Sequence, residues 1–305
     1  MQKAERRLQA IFQKYNNSNF AKTDYSKLDV TKRIFKKSYI FLNKTTTFFF
    51  LGILSIFFVT SQTELFSTST CLITMPSDAS KWFREPEICD ICEGVTQVIK
   101  IKNVSAAAFY RDYVLPATPV VVMDGAKYWT AQKNFSFDFF KKLYQTSDDS
   151  VSCQFFPYKT EFSSLLEALE MDPKRARLES GQKPWYIGWS NCNDEAGKIL
   201  RQYYDVPYFL PNTSENIALN WIFMGGPGQG AHMHVDNVQF PSWQAQLRGR
   251  KLWRLAPPPE CYYKCQEMEI TVEAGEIIVV DTNRWYHQTF ILPGEISITI
   301  GSEFD

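Results

Sequence analysis

Histidine is scarce in this chain, which has only three among its 305 residues. All three lie in the C-terminal quarter, at His232, His234 and His287. A histidine-dependent site is therefore confined to that quarter. No internal repeat is visible elsewhere that would supply a second copy of such a site.

A second Cys-x-x-Cys pair is also missing. Cys89 and Cys92 form one such pair, but three residues separate Cys261 from Cys265. Paired Cys-x-x-Cys motifs are typical of structural zinc sites, so structural disulfides are the favoured use, and a redox or zinc pair is the alternative. All seven cysteines lie after residue 70, which suits an oxidising compartment in which disulfides persist. The odd count leaves one thiol over.

The chain carries no net charge, yet its two parts differ sharply. Residues 1–44 contain eleven Lys and Arg against three acidic residues, and the remainder contains 22 basic against 30 acidic residues. An acidic C-terminal part argues against nucleic acid as its partner. The basic residues 1–44 are interpreted as a cytosolic tail.

One long uncharged stretch, residues 45–63, follows this tail and has a strongly apolar centre from Phe48 to Val59. About twenty apolar residues are needed to cross a bilayer core. The flanking positive charge lies on the N-terminal side, so the positive-inside rule predicts an uncleaved transmembrane signal anchor. Residues 64–96 would then be a lumenal stem of a type II protein of the endoplasmic reticulum or Golgi. A cleaved signal peptide and a buried core helix are the alternatives.

Three Asn-x-Ser/Thr sequons follow the apolar stretch, at Asn103, Asn134 and Asn212. Each is an acceptor sequence for N-glycosylation in a lumenal or secreted segment. They agree with a lumenal position for the C-terminal part, although such sequons are also frequent by chance.

The histidines are spaced as a non-haem iron site requires. Asp236 follows two residues after His234, and His287 comes about fifty residues later, after an apolar run. Two histidines and one carboxylate form the facial triad, which leaves positions open on Fe(II) for a co-substrate and oxygen. If residues 232–236 form a strand, the side chains of His234 and Asp236 point to the same face of it. The sequence therefore predicts a metal centre made of these three residues.

Three alternatives stay open at this point. On such a strand the side chain of His232 would point to the same face as that of His234, so His232 could replace it as the ligand. Zinc is the rival metal, because spacing alone does not exclude it. The histidines could also be ordinary hydrogen-bonded polar residues of a β-domain.

Short β-runs dominate the second half of the chain. Predicted helices come first, over Ser105–Tyr113, Phe135–Leu143 and Leu165–Glu170, with an early strand at Pro119–Met123. The later runs, separated by turn residues, are typical of a barrel or sandwich. They are Trp185–Trp189, Leu219–Met224, His232–Asp236, Trp243–Arg248, Leu252–Leu255, Ile270–Val272, Ile277–Val280 and Ile296–Ile300. The predicted fold class is mainly β with flanking helices (α+β), in one domain over residues 97–305.

Several motifs in residues 103–305 resemble the cupin-like JmjC class of Fe(II)- and 2-oxoglutarate-dependent oxygenases. The most specific are His234-Val235-Asp236, the segment Trp243–Pro258 and the segment Gly275–His287. The resemblance is closest to the small JmjC-only hydroxylases, including the asparaginyl-hydroxylase type. It implies a double-stranded β-helix (a jelly-roll or cupin barrel), preceded here by the one predicted transmembrane helix. It also implies that the three triad residues bind iron.

The resemblance implies a co-substrate site as well. In this class a lysine after a Gly-x turn binds the distal carboxylate of 2-oxoglutarate, and the matching residue is Lys251, after Gly249. A charge-assisted hydrogen bond to a buried carboxylate is strong; a surface strand lysine is the alternative. Tyr186 matches a tyrosine that contacts the same carboxylate. The chain departs from its relatives at Ala231, where threonine is common, and at Gly301, where some have an asparagine that helps to hold the keto acid.

The implied activity is hydroxylation of a protein side chain, with Fe(II), 2-oxoglutarate and O2, by a membrane-anchored lumenal enzyme. Histone demethylation does not fit a lumenal position. Two other functions stay open, because a fold does not by itself imply activity. One is a catalytically inactive JmjC-like module that binds a protein or glycan, and the other is a cupin metalloenzyme that does not use 2-oxoglutarate.

Overall fold

The structure is a computed structural model that describes residues 86–145, 152–211 and 220–305. These residues belong to one compact unit, Ser80–Asp305. The predicted cytosolic tail, the signal anchor and the greater part of the stem lie outside the described residues. No helix in the described ranges combines the length and the apolar character that crossing a membrane requires.

Strands in the described residues form two sheets. They are β1 Ile99–Ile101, β2 Val120–Val122, β3 Ser152–Phe156, β4 Tyr186–Asn191, β5 Asn220–Gly225, β6 Gly228–Gln229, β7 Ser242–Arg248, β8 Lys251–Ala256, β9 Met268–Val272, β10 Ile277–Val280, β11 Tyr286–Ile291 and β12 Ser297–Glu303. The larger sheet has eight strands in the order β1-β2-β10-β7-β12-β5-β4-β3, and the smaller has four in the order β6-β11-β8-β9. Only β1 and β2 pair in parallel. Residues directly opposite on antiparallel strands share a face, so this register decides which side chains meet.

Short α-helices precede and interrupt the strands. They are α1 Ala106–Phe109, α2 Ala131–Asn134, α3 Phe137–Tyr144, α4 Leu165–Leu169, α5 Pro173–Ala176 and α6 Asp194–Leu200. Polar side chains cap five of them. The oxygens of Ser105, Ser136, Ser164 and Asn193 each accept from a backbone N–H three residues later, and Asp172 accepts from one two residues later. Such caps satisfy donors that the first helical turn leaves free. The helix α1 continues into a π-helical turn over Tyr110–Val114.

The predicted fold class, mainly β with some helices, is confirmed. The described strands form two sheets, however, and no single closed barrel. The predicted strand over His232–Asp236 is wrong, because only an isolated bridge between His234 and His287 forms there. The N–H of Asp236 instead donates to the carbonyl of Thr282, at 2.8 Å, so the ladder does not continue along this segment.

Aromatic residues of α3, together with Phe135 two residues before it, contribute to the larger core cluster. Phe135 and Phe140 are fully buried, with ring centroids 5.2 Å apart. Phe139 packs edge-on against Phe140 at 5.4 Å and stays partly exposed. Such pairs add about 0.5–1.5 kcal/mol each beyond the burial of their area. This cluster supports the larger sheet.

Two disulfides attach the start of the described chain to the segment after β8. They join Cys89 to Cys261 and Cys92 to Cys265, with sequence separations of 172 and 173. The Cys-x-x-Cys pair therefore has the Cys-x-x-x-Cys pair as its partner, a pairing that spacing alone could not reveal. The end of the predicted stem is in consequence covalently linked to the domain.

Candidate metal centre and ligand cavity

The side chains of His234, Asp236 and His287 meet at one point. His234 Nε2 lies 3.2 Å from Asp236 Oδ1, and His287 Nε2 lies 3.8 Å from Asp236 Oδ2. One ligand atom from each residue falls within 4.8 Å of the others, and no other such group of histidine, cysteine and acidic residues occurs in the described ranges. The structure thus brings the three predicted ligands together.

Backbone hydrogen bonds hold the two histidines opposite each other. The N–H of His234 donates to the carbonyl of His287 at 3.1 Å, and the N–H of His287 donates back to the carbonyl of His234 at 2.8 Å. One ligand therefore lies on the regular strand β11, and the other lies on an irregular segment that makes several hydrogen bonds to β11 without forming a strand. The backbone bridge between the two histidines therefore positions the cluster, and not the alternation of side chains along a regular strand.

The second ring nitrogen of each histidine faces a backbone carbonyl. His234 Nδ1 lies 2.6 Å from the carbonyl of His232, and His287 Nδ1 lies 3.1 Å from that of Trp285. With the proton on Nδ1, Nε2 presents its lone pair to the cluster, as in metal-binding histidines. Burial lowers the pKa of His287 to about 4, so this ring is neutral. Burial also disfavours charge on His234, but its hydrogen bonds to Asp236 and to the backbone of His232 and His287, together with the charge of Asp236, outweigh this, and its pKa is raised.

The donor set fits Fe(II). Two imidazoles and one carboxylate are the ligands of non-haem iron oxygenases, and their three atoms leave further coordination positions free. Burial raises the pKa of Asp236, yet the two neighbouring histidines and a hydrogen bond to Thr282 together lower it by more, so the carboxylate stays ionised. The ring of His287 is further oriented by Trp253, which stacks on it with centroids 5.8 Å apart.

His232 does not join this cluster. Its side chain is exposed, and its ring centroid lies 5.2 Å from that of His234. Its backbone carbonyl, rather than its imidazole, contributes by accepting from His234 Nδ1. The described geometry therefore favours His234 over His232 as a ligand.

Lys251 has no exposed surface. Its Nζ donates to the Tyr186 hydroxyl at 3.2 Å and to Thr299 Oγ1 at 2.7 Å. Burial alone lowers the pKa of this lysine to about 7, and no carboxylate in the described residues counteracts that effect. A buried ammonium without a counter-ion is costly, so this group is poised to accept an anion.

A short chain of hydrogen bonds fixes the position of Lys251. Thr299 Oγ1 donates to Gln246 Oε1 at 3.0 Å, and Gln246 Nε2 donates to the Arg248 carbonyl and to Ser297 Oγ. Neither Thr299 nor Gln246 was singled out from the sequence. The sequence offered no clear signal, because Gln246 is one of four polar residues of the seven in β7, and its burial, at 1% exposed, appears only in the structure.

One cavity of about 300 Å³ contains both the metal-ligand cluster and Lys251. Its described wall consists of Gln154, Phe156, Tyr158, Tyr186, Trp221, Phe223, Ala231, His232, His234, Asp236, Asn237, Val238, Gln244, Lys251, Trp253, His287 and Thr289. Within that wall, Asp236 is the one carboxylate and Lys251 the one aliphatic cation. The remaining lining is aromatic, aliphatic or neutral and polar.

The two departures from the resemblance have local structural reasons. A Cβ atom at Gly301 would lie 2.5 Å from the Trp243 carbonyl oxygen and 2.9 Å from Gln244 Cγ, so β12 has no room for a side chain there. Ala231 is buried, and its N–H donates to Thr289 Oγ1 at 3.0 Å. A threonine hydroxyl is therefore still present beside position 231, supplied by β11.

Comparison with known proteins places this geometry in a family. The model of the cupin-like domain family matches residues 106–291. The 2-oxoglutarate and iron-dependent oxygenase JMJD4 of Gallus gallus is 25% identical over 252 residues, which are 65% of this chain and 58% of that protein. The arginine-specific demethylase JMJ20 of Arabidopsis thaliana is 31% identical over 263 residues, or 67% and 56% of the two chains.

A solved structure of YcfD, a ribosomal oxygenase from Escherichia coli, aligns with 67% of this chain and 51% of its own. The identity is 17% and the TM-score 0.44, too low to support a conclusion. The chain spans less than three fifths of the length of the two curated relatives. The family match, in contrast, covers more than half of the chain and includes all three residues of the metal-ligand cluster. This chain therefore belongs to the cupin-like, JmjC-type domain family.

Proposed function

We propose that this chain is an Fe(II)- and 2-oxoglutarate-dependent oxygenase that hydroxylates a side chain of a protein. One observation carries the proposal: a fully buried lysine without a carboxylate partner shares a cavity with the His234, Asp236 and His287 cluster. Such a cavity selects a small molecule with an anionic group for the lysine and a chelating group for the metal. The molecule 2-oxoglutarate has both.

The roles of the chain's own residues follow from their positions. The cluster would hold Fe(II) through two imidazoles and one carboxylate. Lys251 would bind the distal carboxylate through its charge, with Tyr186 as a neutral hydroxyl neighbour at 3.2 Å. The rings of Phe223 and Trp253 would exclude water, which strengthens every charge interaction in the site.

Iron held by these residues would supply the activation of O2, and the overall reaction would convert substrate C–H, 2-oxoglutarate and O2 into substrate C–OH, succinate and CO2. One oxygen atom enters succinate and the other enters the new hydroxyl. Two electrons come from 2-oxoglutarate and two from the substrate C–H bond. The protein's part is to fix the ligand geometry and to keep the cavity dry.

The relatives support this assignment by their names, one an iron and 2-oxoglutarate oxygenase and another a demethylase of arginine. A catalytically inactive binding module is the second candidate. The observation that favours it is the lack of room for a side chain at Gly301, a position at which some members of the JmjC class have an asparagine. A metalloenzyme without 2-oxoglutarate leaves the burial of Lys251 unexplained.

Production of succinate tests the activity directly. The purified chain would be incubated with Fe(II), ascorbate, O2 and 2-oxoglutarate labelled at C1. Release of labelled CO2 and succinate in equal amounts is the expected result, and Asp236→Ala should abolish it. Asp138→Ala, at an exposed position of α3, is the matched control and should retain the activity. Equal product from wild type and Asp236→Ala would contradict the proposal.

We further propose that the domain, residues 97–305, folds as a double-stranded β-helix in the lumen of the secretory pathway. Residues 1–44 would remain cytosolic, residues 45–63 would anchor the chain, and residues 64–96 would form the stem. The support is the flanking charge of the apolar stretch, together with the seven cysteines, which all follow it and four of which pair in the described domain.

Two of the sequons agree with this placement, since Asn103 and Asn134 have exposed side chains, while Asn212 lies outside the described residues. Protease treatment of microsomes tests the topology. Protection of the C-terminal domain until detergent is added is the expected result. Digestion of that domain in intact vesicles would refute the lumenal placement.

A further inference from the structure

The loop between β10 and β11, residues 281–285, contacts two of the three ligand residues of the candidate metal centre. The carbonyl of Thr282 accepts from the N–H of Asp236 at 2.8 Å, and the carbonyl of Trp285 faces His287 Nδ1 at 3.1 Å. Thr282 and Trp285 are buried, so water does not compete for these contacts. We call residues 281–285 the ligand-holding loop.

The side chain of Asn283 extends this contact along the segment that carries Asp236. Its Oδ1 accepts from the N–H of Val238 at 2.8 Å, and its own N–H donates to Asp281 Oδ1 at 3.2 Å. Backbone N–H groups outside a regular strand need partners of this kind. The ligand-holding loop therefore supplies the hydrogen bonds that a neighbouring strand would otherwise provide to residues 236–238.

An ion pair joins the ligand-holding loop to the start of the described chain. Arg284 Nη2 lies 2.5 Å from Glu87 Oε1, and the two side chains are 30% and 16% exposed. Partial burial weakens the screening by water and salt that makes fully exposed ion pairs nearly neutral in energy. The position of the Glu87 carboxylate therefore determines where the guanidinium of Arg284 lies.

Glu87 is itself held in place by the segment after β8. Two residues further along the chain, Cys89 is linked to Cys261 by a disulfide. The backbone N–H of Glu87 also donates to Glu260 Oε1 at 2.6 Å. These two connections bring Glu87 to the ligand-holding loop, although 197 positions of sequence separate it from Arg284.

Asp281 gives the ion pair a consequence for the metal centre. Burial raises the pKa of Asp281, the charge of Arg284 lowers it and the charge of Glu87 raises it, so the three charged groups lie close together. Without the charge of Glu87, Arg284 would turn toward Asp281 and compete with the N–H of Asn283 for that carboxylate. The side chain of Asn283 would then shift, and with it the segment that carries Asp236.

We propose that Glu87 and Arg284 are positioning residues of the metal centre, because their ion pair holds the ligand-holding loop in the place from which it orients Asp236 and His287. This inference rests on the metal centre of the proposed function. It gives a role in metal binding to a disulfide-linked segment that precedes residues 106–291, the part of the chain that the family model matches.

Anaerobic titration with Co(II) tests the proposal, because the visible d–d bands of this ion report both its affinity and its ligand geometry. Glu87→Gln removes the charge and keeps the size of the side chain. It should shift the bands and raise the dissociation constant about tenfold, the lower end of what loss of a group that orients a metal ligand costs. Arg284→Gln should have the same effect.

Glu93→Gln is the matched control. Its carboxylate pairs with Lys264, at 3.0 Å, on the same disulfide-linked segment and not with the ligand-holding loop. This variant should keep the Co(II) affinity and the d–d bands of the wild-type chain. An equal loss of affinity in Glu87→Gln and Glu93→Gln would indicate a general loss of stability and would overturn the proposal, as would wild-type affinity and bands in Glu87→Gln.

A double-mutant cycle tests the route through Asn283. Asn283→Ala removes the acceptor of the Val238 N–H and should weaken Co(II) binding at least as much as Glu87→Gln does. The double variant should bind no more weakly than Asn283→Ala alone, since residues of one network are not additive. Full additivity would overturn the proposal. A wild-type chain that binds Co(II) but forms no succinate would refute the oxygenase function and not the positioning role, so the two failures are distinguishable.

Discussion

Lys251 Nζ lies 3.2 Å from the Tyr186 hydroxyl, and the described surroundings of this pair contain no carboxylate that neutralises the ammonium. A neutral phenol can orient a buried cation but cannot replace a counter-ion. The pair is therefore suited to bind an anionic ligand, which would supply the missing counter-ion. The buried charge of Lys251 should lower the stability of the unliganded protein and should bind the co-substrate, and each effect leads to its own prediction.

Removal of the cation should remove the co-substrate. Lys251→Ala should weaken 2-oxoglutarate binding at least about 30-fold, because losing one partner of a buried charged pair costs about 2–5 kcal/mol. Titration calorimetry under anaerobic conditions would measure the dissociation constant, and metal analysis should show unchanged iron content. The matched control is Lys198→Ala, which removes an exposed lysine paired with Glu195 on α6. A dissociation constant within threefold of wild type would refute the role of Lys251.

The same lysine should destabilise the unliganded protein in a pH-dependent way. Its pKa is lowered to about 7 by burial, whereas the unfolded value is 10.5. Between these pH values the unfolded chain binds the extra proton, so stability rises with pH; below about 7 the full penalty applies. Lys251→Met should therefore raise the free energy of unfolding by about 1–4 kcal/mol at pH 6. The gain should shrink toward pH 9.

Denaturant unfolding of the metal-free, ligand-free protein at the two pH values would check this. Tyr186 and Thr299 keep their other neighbours in the variant, so the comparison isolates the charge. A gain that is equal at pH 6 and pH 9, or a loss at both, would show that the charge of Lys251 is not the cause.

The triad residues could be selected from the sequence because the chain offers so few histidines and the His-x-Asp spacing is short. Their actual placement could not, since it depends on the bridge between His234 and His287 and not on a regular strand. A strand was predicted over His232–Asp236 from residue type alone. Pairing across about fifty residues of sequence is a tertiary property, and strand propensity depends strongly on such context.

The residues that fix the position of Lys251 could not be predicted from the sequence for a related reason. Gln246 and Thr299 lie on strands whose residues are nearly all buried, so alternation does not mark an inner face. Their importance depends on the cross-strand pairing of Thr299 with Gln246. The strands themselves, such as Ile277–Val280, were readable as apolar runs bounded by turn residues. Prediction of the side-chain partners therefore requires the register of the paired strands, whereas prediction of the strand positions does not.

Restoring an asparagine at Gly301 should damage the fold. Its Cβ would lie 2.5 Å from the Trp243 carbonyl, and backbone cannot move aside as easily as a flexible side chain. Gly301→Asn should lower the free energy of unfolding by about 1–3 kcal/mol, the usual cost of overpacking. Thermal denaturation would measure it beside Gln182→Asn, a substitution at an exposed position outside the cavity. Equal melting temperatures for Gly301→Asn and wild type would show that β12 has room.

The disulfides should contribute strongly to stability. Each closes a loop of more than 170 residues, and loss of a native disulfide typically costs about 2–5 kcal/mol. Replacing Cys89 and Cys261 together by serine should lower the melting temperature under oxidising conditions. A reducing agent should lower that of the wild-type chain further. Peptide mapping without reduction would identify the pairs, and recovery of Cys89 linked to Cys92 would contradict the described pairing.

The most direct test of the account is the visible charge-transfer band that appears when Fe(II) and a chelating 2-oxo acid bind together. The chain would be loaded with Fe(II) without oxygen and titrated with 2-oxoglutarate, beside Asp236→Ala and the exposed control Asp138→Ala. The account predicts a saturable band for wild type and the control and none for Asp236→Ala. A folded, iron-loaded wild-type chain that shows no band would contradict it.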